Sequence, residues 1–338
     1  MIDVAIRKVV DGKSLERAEM YEVFCEVMDG RASDVQKSAL LIALRMKGET
    51  ADEITGAAMA MRERVTPLTV DRERIVDTCG TGGDGRGTFN VSTIAAIVAA
   101  GAGASVAKHG NRAVSSSCGS ADVLAELGVA IDLDAARMSE VLRRTGISFL
   151  FAPKLHPAMG AVAGIRRELG VRTIFNVLGP LTNPAFARRQ VLGVYSLHLV
   201  DVLARVLLAL GAEHAMVVHS ADGLDEISIS ASTHVCEVRD GDVHTYELTP
   251  EEIGVDRYPI EAISGGDARE NARIAREVLG GGLGPRAEIV AANAGAALYV
   301  SGAAATIGEG VTMARESISG GQAMAKLQEL VAVTNELS

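Results

Sequence analysis

The sequence predicts an α/β fold in which a small all-helical domain precedes a larger α/β domain with a mainly parallel central sheet. Within the first 65 residues, three segments carry apolar residues at helical spacing and show no strand pattern: 15–28, 35–46 and 49–65. From residue 75 onward, short apolar runs alternate with helical segments, which indicates βα units and a largely parallel sheet. Abundant Ala and Gly and few aromatic residues (3%, no Trp) suit closely packed layers of this kind.

The individual elements are predicted from the residues that begin and end these patterns. Ser33-Asp34 is expected to begin the second helix, and Lys47-Gly48 to end it. The predicted strands are 75–79, 105–107, 148–151, 190–195 and 214–218, and the predicted helices are 90–101, 120–127, 156–169 and 199–210. Residues 227–230 and 233–238 are expected to be antiparallel strands, with a hairpin turn in 239–242. The remainder is predicted to be mostly helical, with an interruption at 280–282.

Composition narrows the classes of function. With 338 residues, 48% of them hydrophobic and 22% charged, the chain is typical of a folded globular protein. A net charge of −10 argues against non-specific nucleic-acid binding, although a small basic pocket for an anion stays possible. The four cysteines form no CxxC pair, so neither a zinc site nor a disulfide framework is indicated. Without a signal-peptide region or an apolar run near ~18 residues, we expect a cytoplasmic protein and no membrane partner.

The strongest local motif is the glycine-rich segment 77–84, between a predicted strand and a predicted helix. Such a turn exposes backbone N–H groups beside a helix N-terminus, which favours phosphate binding over a simple tight turn. Gly80, Gly82 and Gly85 also fit the dinucleotide pattern GxGxxG. No Asp or Glu occurs between Asp84 and Asp122, however, so the carboxylate that would bind a ribose diol is missing.

Four further groups are candidates for binding, and each also has a purely structural interpretation. Asn90 to Thr93 could place side chains around a phosphate or could simply cap a helix. The segment 108–112, at the end of a strand, suits an anionic substrate but could be a solvated basic turn. Arg166-Arg167 is expected to be an exposed helical pair. Asp225-Glu226 has the oxygen ligands that magnesium prefers, or could be a charged turn.

Taken together and in order, these segments resemble the anthranilate phosphoribosyltransferase family of tryptophan biosynthesis. The resemblance covers nearly the whole chain, and its specificity lies in the ordered set of motifs and in no single one. Besides the groups above, it rests on residues 29–30, 43–50, 119–124, 151–153, 156–159, 172–176, 178–184 and 222–226.

The resemblance implies an architecture of the nucleoside phosphorylase and phosphoribosyltransferase type. Residues 1–70 with 156–184 would form the helical domain, and residues 71–155 with 185–338 the α/β domain. The active site would lie between the two domains, and the protein would be a homodimer through the helical domain.

The implied reaction transfers the phosphoribosyl group of phosphoribosyl pyrophosphate (PRPP) to the amine of anthranilate, with Mg²⁺ as cofactor. The residues implied for PRPP are Gly80, Gly82, Gly83, Asp84, Thr88, Asn90, Ser92, Thr93 and Lys108. Those implied for anthranilate are Gly80, His109, Asn111, Arg166, Gly179 and Pro180. Those implied for Mg²⁺ are Ser92, Asp225 and Glu226.

One departure from the family pattern and three alternative functions accompany this interpretation. Ser117-Cys118 stands where the family often has a basic residue followed by Ser, which is expected to weaken one phosphate contact without changing the reaction. The alternatives are a pyrimidine nucleoside phosphorylase and a non-catalytic, nucleic-acid-binding relative of the same fold. An NAD-dependent dehydrogenase is disfavoured by the missing acidic residue.

Overall fold

The opening block of the chain is entirely helical. The computed structural model describes residues 1–70, 74–113 and 118–338. Its first helices are α1 Ile2–Val10, α2 Arg17–Met28, α3 Asp34–Lys47 and α4 Ala51–Arg62. At the start of α3, Ser33 Oγ accepts the Gln36 N–H at 3.3 Å, and Gln36 Oε1 accepts the Ser33 N–H at 2.9 Å. Gly48, at φ +88°, ends α3, so the predicted start and end of this helix are confirmed.

The seven strands form one sheet in the order β3-β2-β1-β4-β5-β6-β7. The strands are β1 Val76–Asp77, β2 Val106–Gly110, β3 Ile147–Phe151, β4 Arg189–Gly193, β5 His214–Ser220, β6 Thr233–Arg239 and β7 Asp242–Leu248. The pairs within β1 to β5 are parallel, whereas β5–β6 and β6–β7 are antiparallel. The predicted mainly parallel sheet is therefore confirmed. Asp240 and Gly241, both with positive φ, make the predicted hairpin turn.

Helices cover the sheet and complete the chain. They are α5 Val91–Gly101, α6 Ser120–Glu126, α7 Ala135–Thr145, α8 Ala152–Leu155, α9 Gly160–Leu169, α10 Phe175–Leu178, α11 His198–Ala209, α12 Ala268–Leu279, α13 Pro285–Ser301, α14 Ile307–Ser319 and α15 Gln322–Glu336. Short 3-10 turns occupy Pro157–Met159, Gly179–Leu181, Glu251–Ile253 and Ile260–Ile263. The sequence interpretation missed α7, although Asp134 caps it and Met138, Val141, Leu142 and Thr145 form its buried face.

Two strand predictions need correction. Residues 227–230 are not a strand, because side chains rather than a neighbouring strand bind their backbone: Ile227 N–H donates to Asn293 Oδ1 at 2.9 Å, and Ser228 N–H donates to Thr233 Oγ1 at 3.0 Å. The second strand extends to Gly110, so Lys108 and His109 lie within it rather than after it.

The buried apolar residues form two clusters on opposite faces of the sheet. In β5, Met216 and Val218 belong to the cluster of the α/β part, while Ala215 and Val217 belong to the cluster that includes the opening helices. This alternation follows from the two-residue period of a strand. The sheet therefore holds the helical block against one of its faces.

Helices from two distant parts of the sequence pack together in the helical block. Helix α9 contacts α2 and α3, and α10 contacts α4. The division into 1–70 with 156–184 and 71–155 with 185–338 stays a prediction. Ser117 lies outside the described residues, so its expected effect on phosphate binding also stays a prediction. Among the described residues, no helix is both long and apolar enough to cross a membrane.

Candidate active site

The sheet topology creates a crevice between β1 and β4. These strands are parallel neighbours, yet the chain leaves β1 toward β2 and β3 on one side and returns as β4 and β5 on the other. In open α/β sheets, ligands bind beyond the carboxyl ends of the strands at such a reversal. Gly80 follows β1 and Gly193 ends β4, and a side chain at Gly80 would place Cβ 3.3 Å from the Gly193 oxygen.

The glycine-rich loop after β1 has a backbone that L side chains disfavour. Gly82, Gly83 and Gly85 have φ of 64°, 81° and 73°, in the left-handed region. Thr81 N–H donates to the Gly193 oxygen at 2.8 Å, which fixes the loop at the crevice. The side chain of Asp84 accepts the Arg86 N–H at 3.1 Å, and its other oxygen is buried without a partner among the described residues.

The N-terminus of α5 borders the same crevice. Asn90 does not cap this helix: its Nδ2 donates to the Cys118 oxygen at 3.2 Å, and its Oδ1 accepts from Asn271 Nδ2 at 3.0 Å. Ser92 N–H donates to Glu226 Oε1 at 3.1 Å. Thr93 is 2% exposed, and Thr88 forms an isolated antiparallel bridge with Ser264. The simple N-cap interpretation of Asn90 is therefore wrong.

Lys108 is a buried cation on β2, 4% exposed, and not part of a solvated turn. Its Nζ donates to the Thr78 oxygen at 2.8 Å and lies 3.5 Å from Ser92 Oγ. The ammonium group therefore sits between the end of β1 and the start of α5. The solvated-turn interpretation does hold for Arg112, which is exposed and pairs with Asp122 at 3.0 Å.

Carboxylates gather in the same crevice, beside the start of α5. Burial, and then the charge of Asp84, raises the pKa of Asp225 above its ordinary value. Burial, and then the charge of Asp225, raises the pKa of Glu226, while Lys108 opposes this rise. The pocket is lined by Thr78, Gly80, Ser92, Ala95, Val191, Gly193, Asp225, Glu226 and Asn293. Carboxylates crowded together in this way suit a divalent cation.

This carboxylate group lacks the geometry of a complete protein-made metal site. Among the described residues, no three His, Cys, Asp or Glu side chains are arranged to hold an ion. Two adjacent carboxylates and a serine hydroxyl fit Mg²⁺ nevertheless, because Mg²⁺ usually keeps waters and takes its other ligands from substrate phosphates.

Two buried histidines form a pair on the other side of Lys108. His109 Nδ1 lies 3.1 Å from the Gly179 oxygen, and the Nε2 atoms of His109 and His156 are 3.0 Å apart. A carbonyl only accepts, so His109 carries its proton on Nδ1 and His156 donates from Nε2. Burial, and then the nearness of His156, lowers the pKa of His109 to about 3, and burial lowers that of His156 to about 4. Both rings are therefore neutral at physiological pH.

The other residues predicted for anthranilate make separate contacts with their own neighbours. Pro180 O accepts from Gln190 Nε2 at 2.8 Å. Asn111 is exposed, and its Oδ1 accepts the Arg112 N–H at 2.7 Å. Arg166 lies 5.4 Å from the centre of the Phe175 ring, and burial lowers the pKa of its guanidinium. Within the described ranges, neither the Asn111 nor the Arg166 side chain hydrogen-bonds to the rest of the predicted anthranilate group.

The chain is similar along its whole length to proteins named anthranilate phosphoribosyltransferase. It is 58% identical to the one from Anaeromyxobacter sp. (strain K), with 99% of each chain covered. The chain belongs to the anthranilate phosphoribosyltransferase family. Residues 4–65 match the helical bundle domain of the glycosyl transferase family, and residues 72–324 match its a/b domain.

Solved structures of anthranilate phosphoribosyltransferases have the same fold. The Thermus thermophilus structure superimposes with a TM-score of 0.93 at 47% identity and covers 98% of this chain and 99% of its own. The Saccharomyces cerevisiae protein in complex with PRPP and Mg superimposes with a TM-score of 0.91 at 29% identity, and the match covers 99% of this chain and 98% of the yeast chain. The same yeast protein in complex with 4-fluoroanthranilate gives 0.88, with equal identity and coverage. These matches do not favour the phosphorylase, dehydrogenase or nucleic-acid-binding alternatives.

Several residues at this anthranilate phosphoribosyltransferase-like crevice were not predicted as site residues. Asp77 is fully buried, and its carboxylate accepts from Asn183 Nδ2 at 2.8 Å and from the His109 N–H at 3.1 Å; burial raises its pKa to about 6. Arg172 donates to the Gly83 oxygen and lies 4.1 Å from the centre of the Tyr195 ring. All three lie in segments that the sequence singled out, 77–84, 172–176 and 178–184, but none of them was assigned a role, because the contacts that bring Arg172 and Asn183 to the crevice span many residues.

Proposed function

We propose that the chain transfers the phosphoribosyl group of PRPP to the amine of anthranilate, giving N-(5-phosphoribosyl)anthranilate and pyrophosphate in tryptophan biosynthesis. The observation that carries this proposal is the meeting of the glycine-rich loop, buried Lys108 and the Asp225-Glu226 pair at one crevice. The phosphate oxygens of such a substrate suit Lys108 and the N–H groups of the loop, and a divalent cation bound with it suits the two carboxylates.

PRPP would lie along the glycine-rich loop and the start of α5. The loop offers backbone N–H groups, and the N-terminus of an 11-residue helix adds a partial positive charge. Lys108 is held by the Thr78 oxygen and Ser92 Oγ, so its charge is already oriented toward this place. The contacts of Thr88, Asn90 and Thr93 with PRPP are part of the same proposal.

Mg²⁺ would be held by Ser92, Asp225 and Glu226. Burial raises the pKa of both carboxyl groups, and neighbouring carboxylates raise it further, Asp84 for Asp225 and Asp225 for Glu226; a bound cation would relieve this repulsion. When bound, the ion would neutralise charge on the pyrophosphate group. We expect that EDTA abolishes activity and that added Mg²⁺ restores it.

Anthranilate would lie beside the histidine pair, with Arg166 binding its carboxylate and with Asn111, Gly179 and Pro180 around the ring. Its aniline nitrogen is uncharged at neutral pH, so no strong base is needed to free the lone pair. The neutral state of His109 and His156 agrees with that requirement, because neither ring repels a positive charge developing on the amine.

The chain's own residues would act mainly by positioning and electrostatics. The amine must face C1 of the ribose while pyrophosphate leaves from the opposite side, through a state that resembles an oxocarbenium ion. Lys108 and the backbone N–H groups of the loop are placed to stabilise the charge gathered by the leaving group. Holding both substrates in line accounts for the rest of the acceleration.

Loss of anthranilate fluorescence tests this function. Purified protein with anthranilate, PRPP and Mg²⁺ is expected to show a decay that disappears without PRPP or with EDTA. Folded protein that gives no decay, but cleaves thymidine or uridine with phosphate, would support the phosphorylase alternative instead. A gel shift that weakens steeply with salt would support the nucleic-acid alternative.

We also propose a homodimer through the helical domain and a cytoplasmic location. Four large apolar side chains of α1 and α3 are more than half exposed: Val4, Val10, Val35 and Met46. Covering such side chains against a second copy would remove apolar surface from water.

A further inference from the structure

Asn293, on α13, is a buried amide that binds the backbone next to the carboxylate pair. It is 3% exposed and lines the same pocket as Asp225 and Glu226. Its Oδ1 accepts the Ile227 N–H at 2.9 Å, and its Nδ2 donates to the Ile227 oxygen at 3.0 Å and to the Ile289 oxygen at 2.9 Å. Both N–H donors of the amide and its acceptor are therefore used, and both backbone polar groups of Ile227 are held by one side chain.

The segment held by Asn293 is constrained on its other side by close packing. A Cβ on Gly193 would overlap the Asp225 backbone oxygen, so the backbone at Asp225 presses against the end of β4. Ser92 N–H fixes Glu226 Oε1 from the start of α5. Asn293, on α13, makes the third contact, with the backbone of Ile227, the residue directly after Glu226. Three elements thus fix a segment that has no strand ladder of its own.

The simpler interpretation is that Asn293 is an ordinary satisfied core amide. Two observations argue for more. Its amide satisfies both backbone polar groups of Ile227, a residue that lies in no strand ladder. The residue directly before the bound backbone is Glu226, whose carboxylate faces the crevice. A shift of this backbone would therefore move both acidic side chains.

We propose that Asn293 is a positioning residue for the divalent-cation site: its amide sets where Asp225 and Glu226 stand, without itself touching the ion. This inference rests on the proposed function, because it assumes that the two carboxylates hold the cation. Residues that orient metal ligands typically change metal affinity 10- to 100-fold when they are replaced.

The test measures binding of Mn²⁺ in the presence of pyrophosphate by water-proton relaxation enhancement, which reports protein-bound ion. Asn293→Leu keeps the branching and the number of side-chain heavy atoms and removes all three hydrogen bonds. Thr334→Val is the matched control. Thr334, on α15, is also 3% exposed, and its hydroxyl donates to the Leu330 oxygen at 2.8 Å and does not line the pocket. Asp225→Asn is the direct ligand variant. Circular dichroism establishes that each variant is folded.

We expect Asn293→Leu to raise the half-saturating Mn²⁺ concentration about 10-fold or more. Thr334→Val should bind Mn²⁺ as the unaltered protein does, even if it melts earlier. In the fluorescence assay, Asn293→Leu should raise the Mg²⁺ concentration for half activity and leave the KM for anthranilate within about twofold. If Asn293→Leu does not fold, Asn293→Ser, whose smaller side chain admits a water, carries the same expectation.

Two results would overturn the inference in distinguishable ways. A folded Asn293 variant that binds Mn²⁺ as tightly as the unaltered protein, while Asp225→Asn binds weakly, would refute the positioning role alone. If the unaltered protein shows no enhancement, the proposed metal site fails and the inference fails with it.

Discussion

At the scale of single residues, burial and hydrogen bonding determine which side chains around the crevice are charged and which are neutral. Lys108 Nζ donates to the Thr78 oxygen, while burial keeps the histidine pair beside it neutral. Arg166 keeps its guanidinium without a hydrogen-bonding partner in the described parts of the chain, next to the Phe175 ring. A group left unpaired in a partly buried place is available to an anionic substrate.

Replacing Arg166 should therefore affect one substrate more than the other. We expect Arg166→Ala to raise the KM for anthranilate about 10- to 100-fold, the equivalent of a lost charge-assisted hydrogen bond of about 1.5–3 kcal/mol. Steady-state kinetics with each substrate varied in turn measures this. Arg167→Ala, on the exposed neighbour, is the control and should change neither KM. Equal increases for anthranilate and PRPP would refute the assignment.

The histidine pair predicts a loss of stability in acid. His156 has an ordinary pKa of 6.5 when unfolded and about 4 when buried, so the unfolded chain binds more protons between these values. Stability is therefore full above about pH 6.5 and falls as the pH drops toward 4, by about 2 kcal/mol for this group from pH 8 to pH 5. Urea unfolding of the unaltered protein and of His156→Gln should show this difference. Identical pH dependence in both proteins would contradict it.

At the scale of elements, two glycines bring loops together at the ends of β1 and β4. A Cβ added at Gly80 would lie 3.2 Å from Asp225 Oδ2. A Cβ added at Gly193 would overlap the backbone oxygen of Asp225. The absence of side chains at these strand ends lets the carboxylate segment reach the glycine-rich loop. The sheet thus brings together the parts proposed to bind the cation and the phosphates.

A side chain at Gly193 should separate these parts. We expect Gly193→Ala to lower the Mg²⁺-dependent rate by at least about tenfold, because its Cβ would overlap the Asp225 oxygen and the segment must move. Gly308→Ala in α14 is the matched control, since its nearest atom would be 3.8 Å away. Rates at several Mg²⁺ concentrations measure the effect. An unchanged rate in folded Gly193→Ala would show that the close approach is not needed.

Local patterns predicted most elements, but not how side chains join them. The Ser33 cap, the 239–242 hairpin turn and the position at which α5 begins are confirmed, although Asn90 does not cap α5 with its side chain. The segment 227–230 was predicted wrongly, because its apolar residues carry a strand pattern while Asn293, 66 residues away, binds its backbone. The glycine-rich loop and Asp225-Glu226 were recognisable as motifs. His156 and Arg172 join the site through contacts that spacing does not encode.

At the scale of the whole molecule, one sheet packs against the helical block and also carries the crevice at the ends of β1 and β4. Residues of β4, β5 and β6 contribute to the cluster that includes the opening helices, and α9 and α10 return from the α/β part to pack against α2, α3 and α4. His156 and Gly179, which surround His109, lie on either side of this returning segment. The histidine pair thus joins the returning segment to β2 of the sheet.

The exposed apolar residues of the helical block give a prediction for assembly. We expect a mass in solution of about twice 35.2 kDa by light scattering coupled to gel filtration. Val35→Asp, at a site 80% exposed, should shift the mass toward the monomer, and Leu283→Asp, 91% exposed in the α/β part, should not. A monomeric unaltered protein would contradict the proposed dimer.

The most direct test of phosphoribosyl transfer is ³¹P NMR of purified protein mixed with PRPP, Mg²⁺ and anthranilate. The geometry of the crevice predicts that one pyrophosphate and one new phosphoribosyl signal appear for each anthranilate consumed, and that PRPP stays intact when anthranilate or Mg²⁺ is left out. Pyrophosphate release that does not depend on anthranilate, or no release by folded protein, would contradict the transfer.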